Sequence, residues 1–207
     1  MTPLDKVILL LTGLVALYLV VNFFQAGHRG GAEARSSHYY LVAFAVLLVA
    51  GLLLIALGYG VLANPLVVIV AAFIPLALSG GLVSQLFPQY ERNYLTFAIV
   101  GFLAIAVTRF VGPTGLATAV LAVVHAVAGL VIFFAPLAVC SQGKRPWSFA
   151  FVTVGGTLIG IGGIALAFLK AGHPILPADF IFAILAPLLF LMTASFAWGF
   201  GRGVRRA

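Results

Sequence analysis

His125 is the only ionisable side chain that falls near the middle of a long apolar run. Hydrocarbon surroundings disfavour the charged form of an imidazole and oblige it to find a hydrogen-bond partner. Three chemistries are open to it: a satisfied polar contact within the core, a place in an ion or solute pathway, or ligation of a metal or haem. At comparable depth lie the Thr157 hydroxyl and the backbone carbonyls freed by Pro75 and Pro187, each of which removes a donor from its helix. Pro75 is followed by Ser79-Gly80-Gly81 and then by Ser84 and Gln85, so this half of its helix is weakened and polar. Interrupted helices that expose carbonyl groups line substrate pathways in transporters. His125, Thr157, Pro75, Ser79 and Pro187 therefore make up a candidate binding or pathway set.

A second set lies nearer a membrane surface. Arg109, Lys170, His173 and Asp179 are expected on one side and form a candidate outer vestibule. There Arg109 either attracts an anionic substrate, pairs with Asp179, or extends its stem to anchor at the headgroups. For haem, axial ligation needs a second group at the depth of His125, and His28, His38 and His173 fall outside the apolar runs. Met192 is the remaining axial candidate, since histidine and methionine together are known haem chemistry. The cofactor and any metal stay unassigned on these residues. At the opposite membrane surface Glu91 and Arg92 serve orientation and solvation, and Gln85, Gln89, Asn93, Asn22 and Gln25 make that end unusually polar.

The elements that position these groups follow from composition. Of 207 residues 64% are hydrophobic and 7% charged, against about 25% charged in soluble domains. Such a chain needs hydrocarbon around it. A helix crosses that layer in about 20 residues, and seven runs qualify, at about 7–25, 39–60, 65–87, 94–111, 115–139, 147–169 and 178–200. The expected fold is one all-α polytopic domain over residues 1–207, a seven-helix bundle. The first run is read as a retained span rather than a cleaved signal sequence, because it exceeds a usual signal core and no small-x-small site follows. Asn64-Pro65 separates the second and third runs as a turn and restart. Tyr39, Tyr40, Trp147 and Trp198 fall near run ends and read as headgroup anchors.

Seven spans place Arg29, Arg35, Arg92, Lys144, Arg145, Arg202, Arg205 and Arg206 on one side, and Lys6, Arg109 and Lys170 on the other. The positive-inside rule then puts the C-terminus in the cytoplasm and the N-terminus outside, in a plasma or cytoplasmic membrane. The net charge of +7 is spread over loops and the tail, a distribution that suits membrane orientation and not nucleic-acid binding. The single Cys140 rules out an internal disulfide.

Small residues mark where helices approach in lipid. Gly156, Gly160, Gly163 and Ala167 recur on one face of the sixth run, with Thr153, Gly155 and Gly162 alongside. This pattern makes the sixth helix the one expected to be enclosed, with a subunit interface as the alternative.

In helix count the chain resembles the microbial rhodopsins, but its last run has no lysine to carry retinal; Pro88-Gln89 is similar to the dipeptide of PQ-loop transporters but occurs once. Neither likeness assigns a family. The sequence lacks Gly-x-Ser-x-Gly, His-Glu-x-x-His and a phosphate-binding glycine loop. The reading is a membrane protein that binds or moves a small solute, with partners limited to the bilayer and either further copies or complex subunits. The alternatives are an anchor or redox subunit holding haem or quinone, and a lipid-modifying enzyme acting at an interface.

Overall fold

The computed structural model describes residues 1–31, 33–170 and 174–203, the side chains of 170, 202 and 203 excepted. It is 89% helical, with no strand among the described residues and seven helical segments long and apolar enough to cross a membrane. Eight α-helices supply them: α1 (Pro3–His28), α2 (Ala34–Leu57), α3 (Pro65–Ala71), α4 (Phe73–Leu86), α5 (Glu91–Val111), α6 (Thr114–Ser141), α7 (Phe151–Lys170) and α8 (Ala178–Gly203). The third span is α3 and α4 in series.

Local chemistry sets the boundaries. Thr2 and Asp5 close a capping box around the start of α1, with Pro3 in the first turn. α2 stops at Gly58, whose φ of 73° lies in the left-handed region that glycine tolerates. The second span thus ends at Leu57, earlier than the run read from hydropathy, and a 3-10 turn at Tyr59–Ala63 follows it. Asn64 caps α3 by accepting from the Leu66 amide at 2.9 Å.

Of the two proline interruptions expected, one breaks a helix. The third span is broken at Ala72, beside Ala71, the residue whose carbonyl loses its partner to Pro75. Ser79 donates to the Pro75 carbonyl within α4, past the break. By contrast α8 runs unbroken through Pro187, as α6 does through Pro136.

The spans differ in how much of each is enclosed. Sixty-one per cent of the third is buried, against 28% of the sixth and 11% of the fourth. The expectation that the sixth helix is the enclosed one is corrected by this, since the third span holds that place. The main core, drawn from α1, α2, α4, α6, α7, α8 and the 3-10 turn at Trp147–Ala150, includes Phe23, Tyr40, Phe44, Phe149, Phe196 and Phe200. Phe200 is its hub, with ring centroids 4.6 Å from Tyr40 and 5.4 Å from Phe23. A smaller cluster joins the third span to α5 and α6 through Ile69, Leu76, Ile105 and Val124.

Candidate functional site

Polar side chains gather where the third span meets α2, α5 and the α6–α7 connection. Helices in lipid gain cohesion from close approach, and the third span offers it at Gly80 and Gly81. A Cβ at Gly81 would lie 2.4 Å from the Tyr40 ring, and one at Gly80 would lie 3.3 Å from the Tyr39 ring and 3.7 Å from that of Tyr94. The two glycines are therefore seats for tyrosine rings from both neighbouring helices.

Those rings carry hydroxyl groups, which must be satisfied where water is scarce. Tyr40, 1% exposed, donates to Gln85 Oε1 at 2.9 Å. Gln85 Nε2 donates on to Glu33 Oε1 at 3.1 Å, and Arg145 Nη2 donates to the same oxygen at 3.0 Å. A connected chain thus runs from the core to the bundle end. Arg145 is held in place by its loop: the Lys144 and Arg145 amides return to the Val139 carbonyl, around Gly143 at a φ of 69°. Its guanidinium also lies 5.8 Å from the Phe149 ring centre.

A second branch surrounds a cavity. Tyr39 donates to Glu91 Oε1 at 3.1 Å, and Arg35 Nη1 pairs with Glu91 Oε2 at 3.2 Å. Deeper in, the fully buried Ser79 is hydrogen-bonded to the Tyr94 hydroxyl. Between these groups lies a cavity of about 20 Å³, bounded by Tyr39, Gly80, Glu91, Tyr94 and apolar side chains of the third span and α5. That is room for one water molecule. The arrangement can place two phenol oxygens and a carboxylate beside one small polar group.

The residues singled out from sequence are divided by the fold. Ser79 bonds into this cluster through Tyr94, and Pro75 adjoins it only as the acceptor of the Ser79 hydroxyl. His125 is half-buried on α6 and engages the Leu121 carbonyl of its own helix at 3.0 Å. Thr157 is exposed on α7 and donates to the Thr153 carbonyl one turn back. Neither hydrogen-bonds to the other or to Ser79 among the described contacts, so the set does not converge on His125. Met192 lies in the main core, whereas Val124 and Ala128, flanking His125, lie in the smaller cluster.

In the outer vestibule set, Arg109 is half-exposed and Asp179 exposed, and no ion pair joins them among the described residues. His173 and the Lys170 side chain lie outside the described residues. No group of three or more His, Cys, Asp or Glu is placed to hold a metal among the described residues.

The small-residue stripe of α7 packs only in part within the chain. A Cβ on Gly156 would meet Ile132 at 2.4 Å, but nothing lies within 4 Å of one on Gly160 or Gly163, and Ala167 is exposed. The face that packs on α8 passes instead through Gly155, against Phe196, and Gly162, against Leu188.

Sequence reasoning missed Glu33, Tyr39, Tyr40, Tyr94 and Arg145 as partners. The usable signal was the pairing of two adjacent tyrosines with two adjacent glycines on successive spans. Taken alone, each pair also fits an anchor or a weak helix.

The fold and hydropathy together define a seven-span helical integral membrane protein. No family model matches the chain, and no curated protein or solved structure is significantly similar to it.

Proposed function

We propose that this protein binds a small polar solute in the cavity between Tyr39, Gly80, Glu91 and Tyr94 and moves it across the bilayer, with α3 pivoting against α4 at Ala72. The observation that carries the reading is a coincidence. The one broken span is also the most enclosed, and a small, mainly apolar cavity edged by Tyr39, Glu91 and Tyr94 abuts it just beyond the break. A solute larger than water requires the cavity to widen, and a break in the helix lets one half move while the Ser79–Tyr94 hydrogen bond stays in place. Glu91 and the two phenol oxygens, whose protons are already given to Glu91 and Ser79, supply acceptors that select a guest bearing hydrogen-bond donors.

The distribution of basic residues supports a cytoplasmic placement for the end bearing Glu33, Glu91 and Arg145. In a Cys140→Ala background, Lys144→Cys should be labelled only after the membrane is made permeable, and Ile175→Cys in intact cells. The reverse pattern would invert the topology.

Transport is tested by stopped-flow light scattering on proteoliposomes challenged with a panel of polyols, amides and amino acids. The expected result is a protein-dependent flux for one class, lost in Gly80→Val. Equal flux in empty liposomes for every solute, or an unchanged flux in Gly80→Val, would sink the proposal.

A second reading is favoured by the outward position of Gly160, Gly163 and Ala167 on α7. Small residues facing lipid permit a close helix contact with another copy or a partner subunit, and such a subunit is where haem or quinone would be the guest. Native mass spectrometry and an absorption spectrum decide it. A partner chain or chromophore supports this reading, whereas a colourless monomer unaffected by Gly160→Leu removes it.

A further inference from the structure

At the end of the bundle opposite the polar network, α1 and α2 do not close against each other along their outer edge. Between them runs an entirely apolar cleft of about 240 Å³. Its walls include Leu10, Gly13 and Leu17 from α1 and Leu48, Leu52 and Ile55 from α2. Gly13 forms the floor, because a Cβ there would just touch Leu48 at 3.7 Å and any longer side chain would project into the cleft.

The cleft spans α1 from Leu9 to Leu17, a rise of about 12 Å at helical pitch. That approaches the roughly 15 Å of one leaflet's hydrocarbon. Its direction follows the helices, as an acyl chain does. What distinguishes it from the ordinary lipid-facing surface is the charge at its end. Residues 6, 10, 13 and 17 share one face of α1 by helical spacing, so Lys6 stands in line with the cleft where α1 emerges. The Lys6 side chain is exposed and has no ion pair among the described residues. The neighbouring carboxylate, Asp5, is buried and turned to the Thr2 amide at 2.7 Å. A cation at headgroup level above an apolar slot of acyl length matches the two parts of one phospholipid.

We propose that the α1–α2 cleft is a binding site for a single anionic phospholipid, its acyl chain laid over Gly13 and its phosphate paired with Lys6. This site is independent of the solute cavity, which lies at the other end of the bundle. The fit is geometric along the chain and electrostatic at the headgroup, and each part is addressed by its own variant.

The test uses the full chain, delipidated in mild detergent and titrated with phosphatidylglycerol or phosphatidylcholine, with native mass spectrometry counting adducts. Wild type is expected to saturate at one phosphatidylglycerol, held more tightly than phosphatidylcholine. Lys6→Gln should weaken phosphatidylglycerol about fivefold, the effect of one surface lysine on an anionic lipid, and leave phosphatidylcholine unchanged. Gly13→Leu should weaken both lipids by at least about tenfold. Non-saturable binding by wild type overturns the proposal without recourse to any variant. So does one-lipid binding that a folded Gly13→Leu protein retains. A dimer that disappears in Gly13→Leu, in place of a lipid adduct, assigns the cleft to a second copy and overturns it equally.

Discussion

The third span and α7 have much the same vocabulary, being apolar helices interrupted by glycine, serine or threonine, yet they occupy opposite situations. In the third span Gly80 and Gly81 lie under tyrosine rings, and 61% of the segment is buried. In the sixth span 28% is buried, and two of the four stripe residues, Gly160 and Gly163, have open space around them. The difference teaches that a glycine in a membrane helix reports permission for close approach and says nothing about whether a neighbour has taken it. What separates the two spans is the partner side. Tyrosines on α2 and α5 reach the third span and are then anchored by Gln85, Glu91 and Ser79.

The sharpest way to break this contrast is to place the same side chain on both. Gly81→Leu should destabilise by at least about 3 kcal/mol, because the walled-in Tyr40 ring has nowhere to move. Gly160→Leu should change stability by no more than about 0.5 kcal/mol. Midpoints of SDS-induced unfolding, read by far-ultraviolet circular dichroism, measure both. Similar losses in the two variants would put a hidden partner against α7.

Next in size is the anchor itself. Arg145→Met removes the cation paired with Glu33 and leaves a half-buried carboxylate sharing Gln85 alone. A loss of about 1–3 kcal/mol is expected, mostly recovered in the double variant Glu33→Gln with Arg145→Met. A double-variant cycle on the same unfolding assay reads the coupling, and additivity would show that the pair does not act as one unit.

Ser79→Ala should cost about 1 kcal/mol, since Tyr94 loses its partner but borders a water-sized cavity that can replace it. A loss as large as that of Gly81→Leu would mean the serine, not the ring seats, secures the third span.

The smallest effect belongs to the opposite end. The Tyr59 hydroxyl is buried with at best a weak approach to the Ala186 backbone, outside good hydrogen-bond geometry, and its ring stacks on Phe182 at 5.5 Å. Burial, helped by the nearby Asp5 carboxylate, pushes its pKa above the ordinary tyrosine value. Tyr59→Phe keeps the stack and removes a poorly satisfied hydroxyl, so stability should stay level or rise by at most about 1 kcal/mol. Because its folded pKa is raised, Tyr59 favours the folded state below the unfolded tyrosine pKa and loses that contribution as pH rises through it. The wild type should therefore lose stability above about pH 10 more steeply than Tyr59→Phe. Parallel pH profiles would place the hydroxyl in contact with solvent.

Much of the scaffold was legible beforehand. Seven runs of the right length became seven spans, Asn64-Pro65 restarted a helix, and Pro75 broke one. Pro187 carried the same local signal but left α8 continuous. Of the candidate pathway residues, Ser79 alone bonds to another span at the polar site, and Pro75 is linked to it only through Ser79. His125 and Thr157 satisfy themselves on their own helices, an outcome that residue type alone does not distinguish from a ligand role. Tyr39 and Tyr40 read as headgroup anchors because both sit near a run end. Only their orientation separates Tyr40, sealed in the core, from Trp147, which is 66% exposed.

The sequence by itself determined the solvent and the crossings. Hydropathy is carried locally along the chain, and an unbroken apolar run of about 20 residues satisfies its backbone in hydrocarbon by closing its hydrogen bonds within a helix. Which side of each helix faces inward was decided by the tertiary structure alone. Lipid is as apolar as leucine, so a buried face and a lipid face need not differ in composition, and no period in the sequence separates them. The polar site shows the same dependence, because Glu33 finds Gln85 across 52 positions and Arg145 across 112. Such pairings exist only once the helices have chosen their neighbours.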